Sequence, residues 1–145
     1  MGVIAVIAYI IDPTWLSWAS LQLPIWSRWI GAGIALLSFT LLQWAQNTLG
    51  KNWSDTPRLI KEQSLVTSGP YQIIRHPIYT AFLLIPGSTF FISANWLVGS
   101  AWIGMTILEA ASRIDFEENI MLEYFGDQYS EYMKRTGRLL PKLVR

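Results

Sequence analysis

The sequence predicts an all-α integral membrane protein: about four transmembrane helices, two of them forming a short hairpin, plus amphipathic C-terminal helices on the cytoplasmic side. Three observations point there. Of 145 residues, 52% are hydrophobic and only 14% charged, with eight Trp, whereas a soluble domain carries about 25% charged residues. Long uncharged runs alternate with short polar segments. Ten of the eleven Lys and Arg residues fall in two of those segments, an asymmetry that the positive-inside rule reads as one cytoplasmic face.

The first span is expected over about residues 1–23, where Asp12 is the sole charge and Pro13 beside it predicts a kink or interruption. The apolar N-terminus lacks a basic flank and a small-residue cleavage site, so it reads as a retained span. The second span, about 29–49, lies in a run of 22 uncharged residues from Trp29 to Gly50. At about 1.5 Å per residue this crosses a core of about 30 Å. The third uncharged run, Pro77 to Leu108, holds 32 residues, roughly 48 Å as one helix and too long for a single straight crossing. Ser93-Ala94-Asn95-Trp96 offers a polar tip, so the run folds into a hairpin with arms 78–93 and 96–112, and Pro86-Gly87 is placed to kink the first arm.

The loop 51–76 carries Lys51, Arg58, Lys61 and Arg75, and the tail 113–145 carries Arg113, Lys134, Arg135, Arg138, Lys142 and Arg145. Four spans put both segments and both termini in the cytoplasm. In the tail, apolar residues at helical spacing (Phe116, Ile120, Tyr124) are interrupted by Gly126, which predicts two short helices, the second ended by Pro141. Gly31-Ala32-Gly33 inside the second span reads as a close helix-packing seam. No repeat divides the chain, so it is expected to form one domain.

Composition also excludes several chemistries. With no cysteine there is no disulfide, no thiolate metal site and no cysteine nucleophile. A net charge of +1 offers no basic surface for nucleic acid. The pattern nominates no metal ligands.

Polar chemistry concentrates at two places. The first is Gly69-Pro70-Tyr71 followed by Arg75-His76-Pro77-Ile78-Tyr79. Gly-Pro marks a turn, and Pro77 holds His76, the only histidine, extended at the mouth of the third span. Unpaired N–H groups at that helix start, beside a guanidinium and an imidazole, suit an anionic group. Arg75 and Tyr79 alone read equally well as interfacial anchors. The second place is Glu117-Glu118, below a possible ladder of Glu109, Arg113 and Glu117 at i, i+4 spacing. Adjacent glutamates on a helix point about 100° apart, so one is expected to turn inward. A carboxylate there could bind ribose hydroxyls or an ammonium group while Arg75 and His76 take a carboxylate, a combination that suits the sulfonium zwitterion S-adenosylmethionine. Tyr129, Tyr132 and Arg135 share a face, an aromatic and basic strip read first as a membrane-surface seat and second as a cover for the cofactor.

Taken together from Leu65 to Pro141, these strings resemble the isoprenylcysteine carboxyl methyltransferase family and its relative, phosphatidylethanolamine N-methyltransferase. The resemblance rests on Gly-Pro-Tyr, Arg-His-Pro-x-Tyr, the hairpin, Glu-Glu, Phe125-Gly126-x-x-Tyr129-x-x-Tyr132 and Arg138-Leu139-x-Pro141. It implies transfer of a methyl group from S-adenosylmethionine to a lipophilic acceptor, foremost the carboxylate of a prenylated cysteine. It also implies that His76, Pro77, Tyr79, Tyr71, Glu117 and Glu118 line the cofactor site, with Asn52 approaching it from the Leu49-Gly50-Lys51-Asn52-Trp53 stretch. Arg75 or Arg135 would orient the acceptor, and Glu118 or His76 would serve as base for an amine or thiol. Thr80-Ala81 departs from the small glycine pattern that often follows this tyrosine in the family. Two other classes remain open on sequence: an NADPH-dependent membrane sterol or steroid reductase, which shares the Arg-His-Pro-x-Tyr string, and a non-enzymatic membrane scaffold.

Overall fold

The computed structural model describes residues 2–50 and 64–142. Every extended element among them is helical: α1 (Gly2–Ile11), a 3-10 helix (Pro13–Ala19), α2 (Ser27–Leu49), a 3-10 turn (Gly69–Gln72), α3 (Pro77–Ser93), α4 (Trp96–Phe125) and α5 (Asp127–Arg135). Among the described residues no helix is long and apolar enough to cross a membrane. The reasons differ from helix to helix. α1 has 10 residues and α3 has 17; α2 reaches 23 but includes Arg28, Gln43, Gln46 and Asn47. α4 reaches 30 and turns charged from Glu109 onward.

The chain divides into two compact units, residues 1–39 with 81–109 and residues 40–80 with 110–145. In the first unit, the expected first span breaks at Asp12. Its side chain accepts a hydrogen bond from the Thr14 N–H at 2.9 Å and caps the 3-10 helix that Pro13 begins. The hairpin falls where its polar tip predicts. Ala94 takes a left-handed φ of 48°, and Asn95, fully buried, accepts from the Leu97 and Val98 N–H groups at 3.1 Å each, capping α4. The Asn95 amide also donates to the Leu16 carbonyl at 2.8 Å, and the Leu21 N–H donates to the Ala94 carbonyl at 2.6 Å, which ties the N-terminal segment to the hairpin tip. A Cβ on Gly31 would lie 2.7 Å from Ile92 and 2.9 Å from the Ser88 carbonyl, so the α2–α3 seam requires glycine there. Gly33, in contrast, faces open space. The buried Ser38 hydroxyl donates to the Ala81 carbonyl at 2.8 Å across the same seam.

In the second unit the sequence expectations need three corrections. The second hairpin arm does not stop at residue 112: α4 runs unbroken to Phe125, so Glu117 and Glu118 belong to it. Its end does fall at Gly126, with φ 52°. α5 ends at Arg135, six residues before Pro141, because the Thr136 N–H closes the last turn on the Tyr132 carbonyl and the chain then turns extended. Finally, Tyr129 and Tyr132 are buried. The Tyr132 hydroxyl donates to the Tyr71 carbonyl at 2.6 Å, so this face is core rather than a membrane seat. The Gly69 turn packs on the end of α2, where a Cβ would meet the Thr48 hydroxyl at 2.7 Å.

Candidate active site

Two motifs separated by some forty residues meet in the second unit. Pro77 begins α3 and is fully buried; having no N–H, it fits the first helical position, and it fixes His76 just outside the helix. The His76 ring is 8% exposed and lies between the paired glutamates of α4. Its Nε2 is 3.1 Å from Glu118 Oε1, and its Nδ1 is 3.7 Å from Glu117 Oε2. Both glutamates therefore face this segment, although Glu118 is buried and the Glu117 side chain keeps 28% exposure.

Glu118 is surrounded by donors. Oε1 receives Arg75 Nε at 2.9 Å as well as the imidazole, and Oε2 lies 3.0 Å from Arg138 Nη2. Burial on its own would raise the carboxyl pKa; the hydrogen bonds from His76 and Arg75 and the charges of both outweigh it and hold the group at about 2. Glu118 is thus an anion fixed within the protein. Glu117 is less committed. Oε1 accepts the Tyr79 hydroxyl, and Oε2, at 3.7 Å from the imidazole, is beyond hydrogen-bond range.

Arg75 is built into the protein rather than presented at its surface. Besides Glu118, its Nη1 donates to the carbonyls of Thr136 (2.6 Å) and Met133 (3.2 Å) at the end of α5, where the exposed carbonyls of a helix terminus favour a cation. Among the described residues these three bonds leave part of the five-donor guanidinium for another group. Just before this helix start, the Arg75 N–H donates to the Gly137 carbonyl at 2.8 Å and the His76 N–H to the Arg138 carbonyl at 3.1 Å, so these two N–H groups are already paired within the fold.

Three tyrosines close the inner side. Burial, then the neighbouring Tyr132 and Glu117, push the Tyr71 hydroxyl pKa up; burial, then Glu118, does the same for Tyr129. Burial raises Tyr132 to about 12 against the lowering effect of Arg75 and Thr136. All three remain neutral near pH 7; Tyr132 donates to the Tyr71 carbonyl, and Tyr71 and Tyr129 are buried packing rather than bases.

Of the residues nominated from sequence, the fold gathers Arg75, His76, Pro77, Tyr79, Glu117 and Glu118, with Tyr71 packed behind them. Arg135 lies exposed in the last turn of α5, and Asn52 is outside the described residues. Thr80 adds a contact that the motif did not announce: its hydroxyl donates to the Leu139 carbonyl at 2.8 Å. Arg138 was also missed as a site residue. Its position in Arg-Leu-x-Pro was the available signal, but only the tertiary fold shows that it reaches Glu118.

Comparison with known proteins gives a consistent result. The model of the isoprenylcysteine carboxyl methyltransferase family matches residues 30–123, which takes in nearly all of α2 and α4 and the whole of α3, and stops short of α5. Protein-S-isoprenylcysteine O-methyltransferase B of Arabidopsis thaliana is 31% identical over 118 residues, 80% of this chain and 60% of the relative. The methanethiol S-methyltransferase of Pseudomonas deceptionensis is 30% identical over 152 aligned residues, 90% of this chain and 54% of the relative. A solved structure of the eukaryotic intramembrane Ras methyltransferase, an isoprenylcysteine carboxyl methyltransferase, superposes with a TM-score of 0.75 at 29% identity, covering 81% of this chain and 43% of that one. The chain thus spans about half the length of the relatives it matches.

Proposed function

Because the chain belongs to the isoprenylcysteine carboxyl methyltransferase family, we propose that it transfers a methyl group from S-adenosylmethionine to a lipophilic acceptor, foremost the carboxylate of a prenylated cysteine or a similar small hydrophobic molecule. The observation that carries this reading is the His76 ring held between Glu117 and Glu118, which unites the two motifs in one polar cluster. The NADPH reductase and scaffold alternatives have no counterpart among the relatives named above.

The cluster's donors and acceptors fit the cofactor. The Glu117 side chain, partly exposed and with Oε2 3.7 Å from the imidazole, suits ribose hydroxyls or an ammonium group, and the remaining N–H capacity of Arg75 suits a carboxylate. S-adenosylmethionine, when bound, supplies an electrophilic methyl carbon on a sulfonium. The protein's part is positioning and water exclusion. Reacting atoms must come to about 3–3.5 Å, and the buried Tyr71, Ile74, Ile114, Tyr129 and Tyr132 keep the inner wall dry. A carboxylate acceptor attacks without a general base, so Glu118 serves as a fixed anion that orients His76 and Arg75. Arg135, exposed on α5, is a candidate to orient an acceptor carboxylate; Asn52, outside the described residues, and Tyr71, packed behind the cluster, are carried over as cofactor contacts from the family resemblance alone.

Bilayer embedding belongs to the same proposal. The first unit carries only three charges, Asp12, Arg28 and Glu109, yet it exposes Ile4, Ile10, Trp15, Trp29, Leu36, Phe39 and Leu108 at 59–78%. So much apolar surface calls for lipid or a partner. α3, with 17 residues, is at the lower limit of a spanning helix. We assign this apolar surface to the bilayer, and the Arg-His-Pro and Glu-Glu cluster to the cytoplasmic face that the basic residues mark.

The test is transfer of labelled methyl by the protein in detergent or vesicles, offered farnesylated cysteine, a membrane phospholipid with a primary amine, and methanethiol. Label on farnesylcysteine, lost as a methyl ester on base treatment, is expected. Label confined to methanethiol would favour the second reading, a small-thiol methyltransferase, which the Pseudomonas relative motivates. Label in none of the three would remove the proposal.

A further inference from the structure

The segment that follows α5 belongs to neither half of the Arg-His-Pro and Glu-Glu pair, yet it holds both halves. Along its backbone, Gly137 pairs in parallel with Ile74. The Gly137 N–H donates to the Ile73 carbonyl at 3.2 Å, and the Gly137 and Arg138 carbonyls receive the Arg75 and His76 N–H groups. The arrangement needs glycine at 137, because a Cβ there would sit 1.7 Å from the Leu140 carbonyl oxygen. Arg138 then points its side chain at α4. Its Nη2 lies 3.0 Å from Glu118 Oε2 and also donates to Asp115, one helical turn earlier. One residue therefore binds the His76 backbone through its carbonyl and the Glu118 carboxylate through its guanidinium.

We propose that Arg138 is a positioning residue of the site: it pins Glu118 inward through Oε2 while Arg75 holds Oε1, and so leaves Glu117 as the carboxylate presented to the methyl donor. A carboxylate held by one cation can still turn about its terminal torsion, whereas cations on both oxygens fix it. With Glu118 fixed, the imidazole that it binds is fixed too. The Arg138 side chain is 43% exposed, so screening by water limits what the ion pair adds to overall stability. Its effect falls on geometry instead. The claim about Glu117 rests on the cofactor reading above; the claim about Glu118 and His76 does not.

The experiment uses the wild type, R138Q and R138K in detergent, with two readouts. The first is the His76 ring resonance in ligand-free protein, unambiguous because the chain has one histidine. The second is titration with S-adenosylhomocysteine. R138Q is expected to move the His76 resonance and to weaken the affinity about tenfold, the worth of one charge-assisted hydrogen bond, and R138K is expected to recover most of both. Wild-type resonance and affinity in R138Q would overturn the proposal. So would losses in R138Q and R138K alike together with a lowered thermal midpoint in each, since that pattern belongs to a purely structural residue. If the wild type binds no S-adenosylhomocysteine while R138Q still moves the resonance, the cofactor reading fails and the positioning role stands.

Discussion

At the scale of residues, the two adjacent glutamates divide the work. Glu118 is enclosed by Arg75, His76 and Arg138, whereas Glu117 accepts the Tyr79 hydroxyl through Oε1 and holds Oε2 at 3.7 Å from the imidazole. The folded pKa of Glu118, about 2, lies below its ordinary 4.5. Its contribution to stability is therefore complete above about pH 4.5 and is lost as the pH falls toward 2. Tryptophan fluorescence through an acid titration should show that loss, and Glu118→Gln should flatten it; an unchanged acid profile would mean that Glu118 is not held as an anion. Glu118→Ala removes the carboxylate partner of Arg75, which keeps its bonds to the Thr136 and Met133 carbonyls, and is expected to cost about 1.5–3 kcal/mol. Sequence alone showed that one glutamate had to turn inward, because the helix angle demands it. It did not show which, since that depends on Arg138, which lies twenty residues further along the chain and reaches Glu118 only through the tertiary fold.

At the scale of elements, local chemistry marked its own boundaries. The hairpin tip at Ala94-Asn95 and the break at Gly126 stand where small and polar residues interrupt apolar runs. Helix ends without such punctuation are not legible in sequence: α4 passes smoothly from its apolar half into its charged half, and a change of hydropathy does not end a helix when the backbone bonds continue. The buried tyrosine face of α5 was likewise hidden, because an aromatic strip looks the same whether it meets lipid or the Tyr71 turn. Asn95 both caps α4 and ties it to the N-terminal segment. Asn95→Ala removes the acceptor of two N–H groups and the donor to the Leu16 carbonyl, so a loss of about 2 kcal/mol is expected in detergent unfolding. Asn95→Ser, which keeps a capping oxygen, should lose less.

At the scale of the whole molecule, the absence of cysteine makes orientation directly testable. Single cysteines at Ala94, the hairpin tip, and at Gln128, exposed on α5, should react with an impermeant maleimide from opposite sides of sealed vesicles, Gln128→Cys from the cytoplasmic side. Labelling of both from one side would contradict the assigned embedding. In the proposed function the joined Arg-His-Pro and Glu-Glu motifs bind the methyl donor. Calorimetric titration of the wild type and Glu117→Gln with S-adenosylhomocysteine and with NADPH tests it most directly. The wild type should bind S-adenosylhomocysteine and not NADPH, and Glu117→Gln should weaken that binding about tenfold or more. Binding of NADPH alone, or an affinity indifferent to Glu117, would contradict it.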